Sequence, residues 1–340
     1  MKLKVIIGIL ISLLFLYFAF LKVDFTHFWN SFKSAHYWYV IPVSGLVIFS
    51  IFIRAYRWKY LLILQKNIPL RHVFSAISIG YFANNVLPMR AGELIRAYVI
   101  KKNEHIPMSA VLATVLVERI IDVLTILFIA VIALLLLPIP HNEHFEAIKS
   151  FGIGLLILET AVIVFCIMLI WKREATAAVS TRLLSFFPNK IRNAGVHIID
   201  SFIDGLEILK AAPHYFTLIW TSFATWLVSF SFCVILIIAF DIRLDFFTLI
   251  TAGVVVLVFS SFAVTIPSSP GFVGTVHLAT QQALVLFSID QSTALGYAFL
   301  LHAVQYIPVT ILGFYFFLRE NIKFAMVKKK KNEPLKNTEA

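Results

Sequence analysis

Three charged residues lie close together inside an apolar stretch of the chain. Glu118, Arg119 and Asp122 are spaced so that their side chains project near one face of a helix. A charge within hydrocarbon is costly and usually marks a functional group. From Asp122 to Pro138 the chain has 16 residues, or about 24 Å of helix at 1.5 Å of rise per residue. The cluster is therefore predicted away from the bilayer centre, in the cytoplasmic third of the membrane.

The cluster needs a further positive partner. An ion pair between Arg119 and Asp122 leaves Glu118 without a cation, and the nearest candidates along the chain are Arg90 and Arg96. Glu93 lies between these arginines and could pair with one of them. Guanidinium groups bind phosphate through planar pairs of donors. We interpret the group as a cation-lined pocket for a polar headgroup, and the alternative is that the charges only join helices at the membrane edge.

The remaining polar candidates lie in two interrupted apolar segments: Asn84, Asn85, Ser268, Ser269, Gly271 and His277. The asparagines could bind polar groups of a substrate or only cap freed backbone, and both interpretations stay open. The serine pair and Gly271 could present backbone N–H groups to an anion at the start of the next helix. The histidine extends this polar stripe, although a lone histidine in a membrane helix is more often a packed, hydrogen-bonded residue.

Sequence motifs for catalysis, metal binding and cofactor binding are absent. The chain has no nucleophile elbow, Walker loop, zinc spacing or Rossmann glycine run, so we expect no catalytic residue, metal or cofactor. Its two cysteines, Cys166 and Cys233, both lie in apolar runs and predict no disulfide framework. The net charge of +11 could suggest nucleic acid, but its location in predicted cytoplasmic loops argues against that partner.

Composition places these residues in a membrane protein. Apolar residues make up 60% of the chain and charged residues 14%, against about 45–50% and about 25% in soluble domains. Continuous apolar runs of about 20 residues predict membrane-spanning helices and exclude a barrel. We predict an all-α bundle of about eight spans, near residues 4–21, 37–63, 107–137, 151–171, 214–240, 246–265, 273–289 and 293–318.

The distribution of basic residues orients this bundle. With both termini inside, 24 of the 29 lysines and arginines fall in cytoplasmic segments, and acids predominate in the external loops. This predicts a multi-pass plasma-membrane protein, and the absence of eukaryotic sorting signals favours a bacterial inner membrane. Lys2 and Lys4 followed by an apolar run also fit a signal peptide. No small-residue cleavage site follows the run, so we interpret it as an anchor.

Two segments do not fit simple spans. Residues 73–87 are apolar, short and bounded by Pro88, and they predict a re-entrant helix that enters and leaves on the cytoplasmic face. Residues 265–274 are rich in Pro and Gly and predict a break in or near the membrane. Both segments contain Phe-Ala followed by Pro and Gly four residues apart, a repeat typical of transporter binding sites or simply of membrane helices.

Two further segments complete the predicted organisation. Residues 172–212 form a cytoplasmic amphipathic segment within a transmembrane domain of residues 1–320. Residues 321–340 form a basic cytoplasmic tail with four lysines at 328–331, whose expected role is anchoring and orientation.

Three motifs give a family resemblance. Residues 84–96, from Asn-Asn to Glu-Leu-Ile-Arg, then Glu118 to Asp122, then Pro267 to Gly274, resemble the flippase-like family related to the transmembrane half of lysylphosphatidylglycerol synthase. The resemblance covers nearly the whole chain. It implies an eight-helix bundle with re-entrant elements, and it implies lipid handling, because the best understood members move an aminoacylated phospholipid between leaflets.

The chain departs from the family in two ways. No soluble aminoacyl-transfer domain follows the last predicted span, so lipid aminoacylation is not expected. His277 stands where relatives carry an acid, which leaves the headgroup open. We expect a lipid flippase or transporter, not an enzyme, with anionic or lipid-linked membrane lipids as partners and a homo-oligomer allowed. The alternatives are an accessory factor or enzyme subunit in envelope lipid or glycan synthesis, and a structural subunit without a small substrate.

Overall fold

In the part of the chain that the structure describes, every regular element is a helix. The computed structural model describes residues 2–63, 65–87, 90–136, 214–266 and 268–322, with isolated positions between 150 and 164. The α-helices in these ranges are α1 (Lys2–Phe20), α2 (Phe25–Ser34), α3 (Val40–Leu62), α4 (Leu70–Val86), α5 (Gly92–Glu104), α6 (Met108–Leu136), α7 (Tyr215–Ala239), α8 (Phe246–Ala263), α9 (Thr275–Val285) and α10 (Gln291–Arg319). Short 3₁₀ turns cover Tyr37–Tyr39 and Pro270–Phe272.

Long apolar helices make this a helical membrane protein, as predicted. Four segments are long and apolar enough to cross a membrane: Tyr37–Leu62, Tyr215–Ala239, Phe246–Ala263 and Gln291–Arg319. The bent pair Ile6–Phe20 and Phe25–Ser34, which meets at 92°, makes a fifth if it counts as one span. The predicted span at 151–171, the amphipathic segment 172–212 and the tail 321–340 lie largely or wholly outside the described residues. The count of eight spans and the position of the termini therefore stay predictions.

One end of the bundle is defined by acidic N-caps, and we call it the capped end. The carboxylates of Asp24, Asp245 and Asp290 accept hydrogen bonds from the first backbone N–H groups of α2, α8 and α10. The end of α7 lies here too, because His36 N–H donates to the carbonyl of Ala239. Asp245 and Asp290, predicted as external loop charges, thus start helices that run from this end into the bundle, whereas α2 is bent by 92° from α1 and lies at this end.

At the opposite end, which we call the hairpin-base end, α5 and α10 end and α4 begins. Lys102 and Asn103, at the end of α5, donate to the backbone and side chain of Glu320 after α10. Glu104 accepts hydrogen bonds from Lys66 and shares one with His72 at the start of α4. Burial would raise the pKa of Glu104, but these two neighbours hold it below its ordinary value.

Helices α4 and α5 therefore form a hairpin that starts and finishes at the hairpin-base end. The two arms pack closely because neither Gly80 nor Gly92 has a side chain: a Cβ on Gly92 would lie 1.9 Å from the carbonyl oxygen of Gly80. Asn84 closes the tip by accepting the Gly92 N–H at 2.7 Å. The predicted re-entrant segment requires this shape. The return arm of the hairpin is α5, a helix of 13 residues.

Helices α8 and α9 form a second hairpin that starts and finishes at the capped end. Gln281 of α9 donates to the carbonyls of Ala19 and Gln291 there. The 11 residues of α9 span about 16 Å at 1.5 Å per residue, about half of a hydrocarbon core of about 30 Å. The segment predicted to cross at 273–289 is therefore too short to cross alone.

The tip of this second hairpin rests on the middle of α1. Ser12 and Ser269 hydroxyls are 2.8 Å apart, and Ser12 also accepts the Ser269 N–H. A Cβ on Gly274 would lie 2.4 Å from the Ser12 carbonyl oxygen, so only glycine fits. Helix α1 thus contacts the second hairpin tip along one side, while most of its large apolar side chains are exposed.

The two hairpin tips meet at the middle of α10. Asn85, in the first tip, donates to Thr310 at 2.8 Å, and Gly271, in the second, accepts from His302 at 2.8 Å. Tyr306 lies between them: its hydroxyl donates to the Asn85 carbonyl, and its ring covers Gly271. Two hairpins that enter from opposite ends thus converge on one level of the bundle.

Candidate functional site

A cavity of about 470 Å³ lies where the hairpin tips converge. Helices α3 to α8 and α10 line it, together with the second hairpin tip. Its polar lining comprises five serine and threonine residues and the larger side chains of Arg54, Tyr81, Asn84, Asn85, Arg90, Glu93, Arg96, Arg119, Asp122, His302, Gln305 and Tyr306. A charged cavity within an apolar bundle is the arrangement expected of a binding site in a membrane.

Glu118 forms the buried base of this cavity. Its side chain is completely buried and accepts from Arg96 at 2.8 Å and from Arg119 at 3.0 Å. Arg57, also completely buried, approaches it at 3.4 Å. A buried carboxylate keeps its charge only when it is paired in this way. The predicted partner Arg96 is therefore present, and Arg57 is a second one.

Asp122, one helical turn further along α6, holds the other half of the network. It accepts from Arg57 at 2.7 Å and from Arg54 at 3.2 Å, and Arg119 lies 3.6 Å away. The predicted pair of Arg119 and Asp122 is thus the longest of these contacts. Arg119 bridges both carboxylates of α6 instead of neutralising one.

Two tryptophans fix the arginines in place. The Arg96 guanidinium lies 4.7 Å from the ring centre of Trp58, and the Arg54 guanidinium lies 5.5 Å from that of Trp226. Trp58 itself is anchored by donating to Thr114 at 2.9 Å. Cation–π contacts of desolvated arginines contribute up to about 2 kcal/mol or more. The aromatic rings therefore hold the guanidinium planes at the cavity wall.

Arg90 and Glu93 extend the charged lining to the tip of the first hairpin. They form an ion pair of 3.6 Å, with 36% and 21% of their side chains exposed. Arg90 has a positive φ of 50°, which places it in the tight turn between α4 and α5. This pair is the accessible part of the cavity, in contrast to the buried base around Glu118.

Several donors in the cavity lack a hydrogen-bond partner among the described residues. They are buried nitrogen atoms of the arginines: Nε of Arg57, Arg90, Arg96 and Arg119, and Nη2 of Arg96. A buried donor without a partner is costly, so such groups usually have a ligand or water as acceptor. Arg90, Arg96 and Arg119 line the cavity, so an anion there reaches these buried donors when the side chains move, whereas Arg57 lies beneath the lining.

Most of the residues predicted for the site are brought together. Eight of them line the cavity: Asn84, Asn85, Arg90, Glu93, Arg96, Arg119, Asp122 and Gly271. Glu118 lies directly beneath them. The asparagines, whose role was open, do cap backbone, since Asn84 binds the Gly92 N–H and Asn85 ties the tip to α10. The structure adds that both also face the cavity.

The other three predicted residues lie outside the lining. Ser269 is occupied by Ser12, and Ser268 lies 3.4 Å from the Thr275 hydroxyl. The backbone N–H of Gly274 donates to Nδ1 of His277 at 3.1 Å. These N–H groups already have partners, so the expectation of an anion site at this loop is not supported. His277 is a packed, hydrogen-bonded histidine against Phe299 and His302.

Sequence reasoning missed Arg54 and Arg57. Both were counted as cytoplasmic charges because they lie near the end of the predicted second span, yet they project into the bundle. The signal was their spacing of three residues inside an apolar run, the same spacing that singled out Arg119 and Asp122. Tyr81, Gln305 and Tyr306 were also missed, because single polar residues in apolar helices give no pattern.

Comparison with known proteins identifies the family. The family model described as the lysylphosphatidylglycerol synthase transmembrane region matches residues 5–313. The chain belongs to this family. The resemblance drawn from the three motifs is thereby confirmed, and two of those motifs supply the charged lining and base of the cavity.

Archaeal relatives of the family carry a similar transmembrane region. The chain is 26% identical to a UPF0104 membrane protein of Methanocaldococcus jannaschii over 81% of this chain and 83% of the relative. A second UPF0104 membrane protein of that organism is 27% identical, over 74% of this chain and 99% of the relative. Glycosyltransferase AglD of Haloferax volcanii is 27% identical over 70% of this chain, which spans only 41% of that protein. No solved structure matches the chain.

Proposed function

We propose that the protein transfers a lipid between membrane leaflets by admitting the polar headgroup to the charged cavity. The observation that carries the proposal is the position of this cavity, at the meeting of two hairpins that enter the bundle from opposite ends. Interrupted helices that meet near the middle of a bundle form the substrate sites of secondary transporters. Here the arginines offer a polar path for a headgroup while the acyl chains stay in the bilayer.

Family membership supports this proposal. The family takes its description from the transmembrane region of an enzyme whose name includes a phospholipid, lysylphosphatidylglycerol. The resemblance of the motifs implies lipid movement by that region. We place the protein in the plasma membrane with both termini on the cytoplasmic side, and the distribution of basic residues supports this orientation.

The charged groups of the site favour transport over acid–base catalysis. Glu93, Glu118 and Asp122 are each paired with at least one arginine. Guanidinium groups bind carboxylates through strong, directional pairs. We therefore assign the cavity a binding role and no catalytic residue.

The second candidate function is that of an accessory factor or enzyme subunit in lipid or glycan synthesis. The relation to glycosyltransferase AglD favours it, because the chain matches 41% of that protein's length. In that role the cavity would hold a lipid-linked substrate for a separate enzyme. Both functions need a headgroup in the cavity, but only the first moves it across the bilayer.

The test is a leaflet-accessibility assay on purified protein in liposomes with fluorescent phospholipids. We expect the wild-type protein to speed lipid exchange, and Arg90→Gln and Arg119→Gln to slow it by at least about tenfold, since each removes a charged donor from the cavity. Arg243→Gln is the matched control, because Arg243 is an exposed arginine with an ion pair to Asp241 outside the cavity.

The assay separates the two functions. Equal exchange by wild type and both cavity variants, at equal reconstitution, would contradict a role for the cavity in transport. Absence of exchange for every lipid, together with lipid binding in detergent, would favour the accessory function.

A further inference from the structure

We infer that the cavity selects lipids that end in a phosphate monoester, which carries two negative charges, over phosphodiester or cationic headgroups. The inference rests on the proposed function and specifies its substrate class. Its basis is the balance of charge and of hydrogen-bond donors in the cavity. Neither the family's description nor the names of its relatives state this chemistry.

The charges that line the cavity are unbalanced. Among the described lining residues, Arg54, Arg90, Arg96 and Arg119 face Glu93 and Asp122, so four positive charges meet two negative ones. Beneath them, Arg57 and Glu118 balance each other. Arginine does not lose its proton in proteins, and an uncompensated charge within a membrane is costly. The ligand that restores neutrality therefore carries two negative charges.

The free donors match the same ligand. The Arg96 side chain is 95% buried, and its Nε and Nη2 atoms lack a partner in the described chain although the residue lines the cavity. Nε of Arg90 and of Arg119 add two more donors. A terminal phosphate offers three acceptor oxygens and about two charges near neutral pH, whereas a diester offers two non-bridging oxygens and one charge. The monoester thus satisfies both the charge and the donors.

The same balance disfavours an aminoacylated headgroup. A lysyl group would bring additional positive charge into a lining that already has an excess of two. Asp122 is engaged by Arg54 and Arg57, and Glu93, whose Oε2 lacks a hydrogen-bond partner among the described residues, lies 3.6 Å from Arg90. Like charges brought together in a desolvated site repel each other strongly. This chain therefore differs in substrate class from the activity implied by the family resemblance.

The experiment measures binding of lipids with identical acyl chains to the full-length protein in detergent. Phosphatidic acid is the monoester, phosphatidylglycerol the diester and lysylphosphatidylglycerol the cationic lipid. Native mass spectrometry would report the bound fraction, and inorganic phosphate would be added as a competitor. We expect phosphatidic acid to bind at least about tenfold more tightly than the diester, because it gains a charge-assisted contact worth a factor of about ten or more.

Two variants change the charge in opposite directions without touching the buried base. Glu93→Gln raises the excess from two to three and is expected to strengthen phosphatidic acid binding. Arg90→Gln lowers the excess to one and is expected to reduce the preference for the monoester by about tenfold. Arg243→Gln, at the exposed ion pair, is expected to leave the preference unchanged.

Each outcome has a defined meaning. Equal binding of monoester and diester, or an unchanged preference in both charge variants, would overturn the inference. If the diester also exchanges in liposomes, the proposed function survives that failure. If phosphatidic acid binds selectively but no lipid exchanges, the monoester site stands and the proposed transport fails. Displacement by inorganic phosphate at equal molar concentration would identify free phosphate as the ligand and contradict the lipid.

Discussion

At the scale of single residues, one buried network joins the charged side chains of α3, α5 and α6. Arg57 has no exposed side-chain surface and joins α3 to both carboxylates of α6 and to Ser222 of α7. Such a residue is both a structural tie and the support of the cavity base. Replacing a whole buried network by apolar residues can be neutral, whereas removing one member leaves the other charges unpaired. Each charged residue of the network is therefore needed to keep the other charges paired.

The first prediction concerns this residue. We expect Arg57→Met to destabilise the protein by about 3 to 5 kcal/mol, because Glu118 and Asp122 lose a buried partner. Arg243→Met removes a surface ion pair from a residue that is 87% exposed and is expected to cost about 0 to 1 kcal/mol. Thermal unfolding in detergent, followed by size-exclusion chromatography, compares the two. Equal thermal unfolding midpoints for both variants would show that Arg57 does not stabilise the protein through this network.

At the scale of elements, close packing of glycines shapes the first hairpin. Gly92 starts α5 directly against Gly80, and Gly80 also contacts the Arg96 side chain at the cavity wall. The separation of the two arms thus sets the position of Arg96. Any side chain at Gly92 forces the arms apart and displaces this arginine from Glu118.

The second prediction uses a matched pair of glycines. Gly92→Ala places a Cβ 1.9 Å from the Gly80 carbonyl oxygen and is expected to cost about 1 to 3 kcal/mol or more through overpacking. Gly45→Ala, in α3, meets no heavy atom within 4 Å and is expected to be neutral or to stabilise the helix by up to about 1 kcal/mol. The same unfolding assay reports both, and a stable Gly92→Ala protein would contradict the observed packing of the arms.

At the scale of the whole molecule, the sequence predicted the parts better than their arrangement. Apolar runs located the helices, because each must span the hydrocarbon with satisfied backbone. The repeat around Gly92 and Gly271 correctly marked two special segments. It could not show that the hairpins enter from opposite ends, since that depends on contacts such as Ser12 with Ser269, which are distant in sequence.

The residues of the candidate site were likewise predicted only in part. Glu118, Arg119 and Asp122 were found because charges in an apolar helix stand out, and the link from Arg96 to Glu118 followed from charge balance. Arg54 and Arg57, near the end of the predicted span 37–63, were counted as cytoplasmic charges because charge counting cannot tell a helix end from its interior. The loop at Ser268 looked suited to an anion, but its N–H groups are bound by Ser12 and His277. Such competition for a donor is visible only in three dimensions.

The convergence of the hairpins on α10 leads to a last prediction about movement. If a headgroup passes between the tips, the contact of Asn85 with Thr310, 2.8 Å between side-chain atoms, must open during transfer. We replace both residues by cysteine in a background without Cys166 and Cys233 and link them with a short thiol reagent that reductant removes.

Linking is expected to slow lipid exchange in liposomes by at least about tenfold, and reductant is expected to restore it, because a closed tip blocks the passage. The comparison of one variant before and after linking separates this effect from the loss of the asparagine itself. The matched control links Ser31 to Thr293, whose hydroxyls are 3.0 Å apart at the capped end, where no opening is required. Unchanged exchange in the Asn85–Thr310 link would show that the tips stay together and that lipid moves along another surface of the bundle.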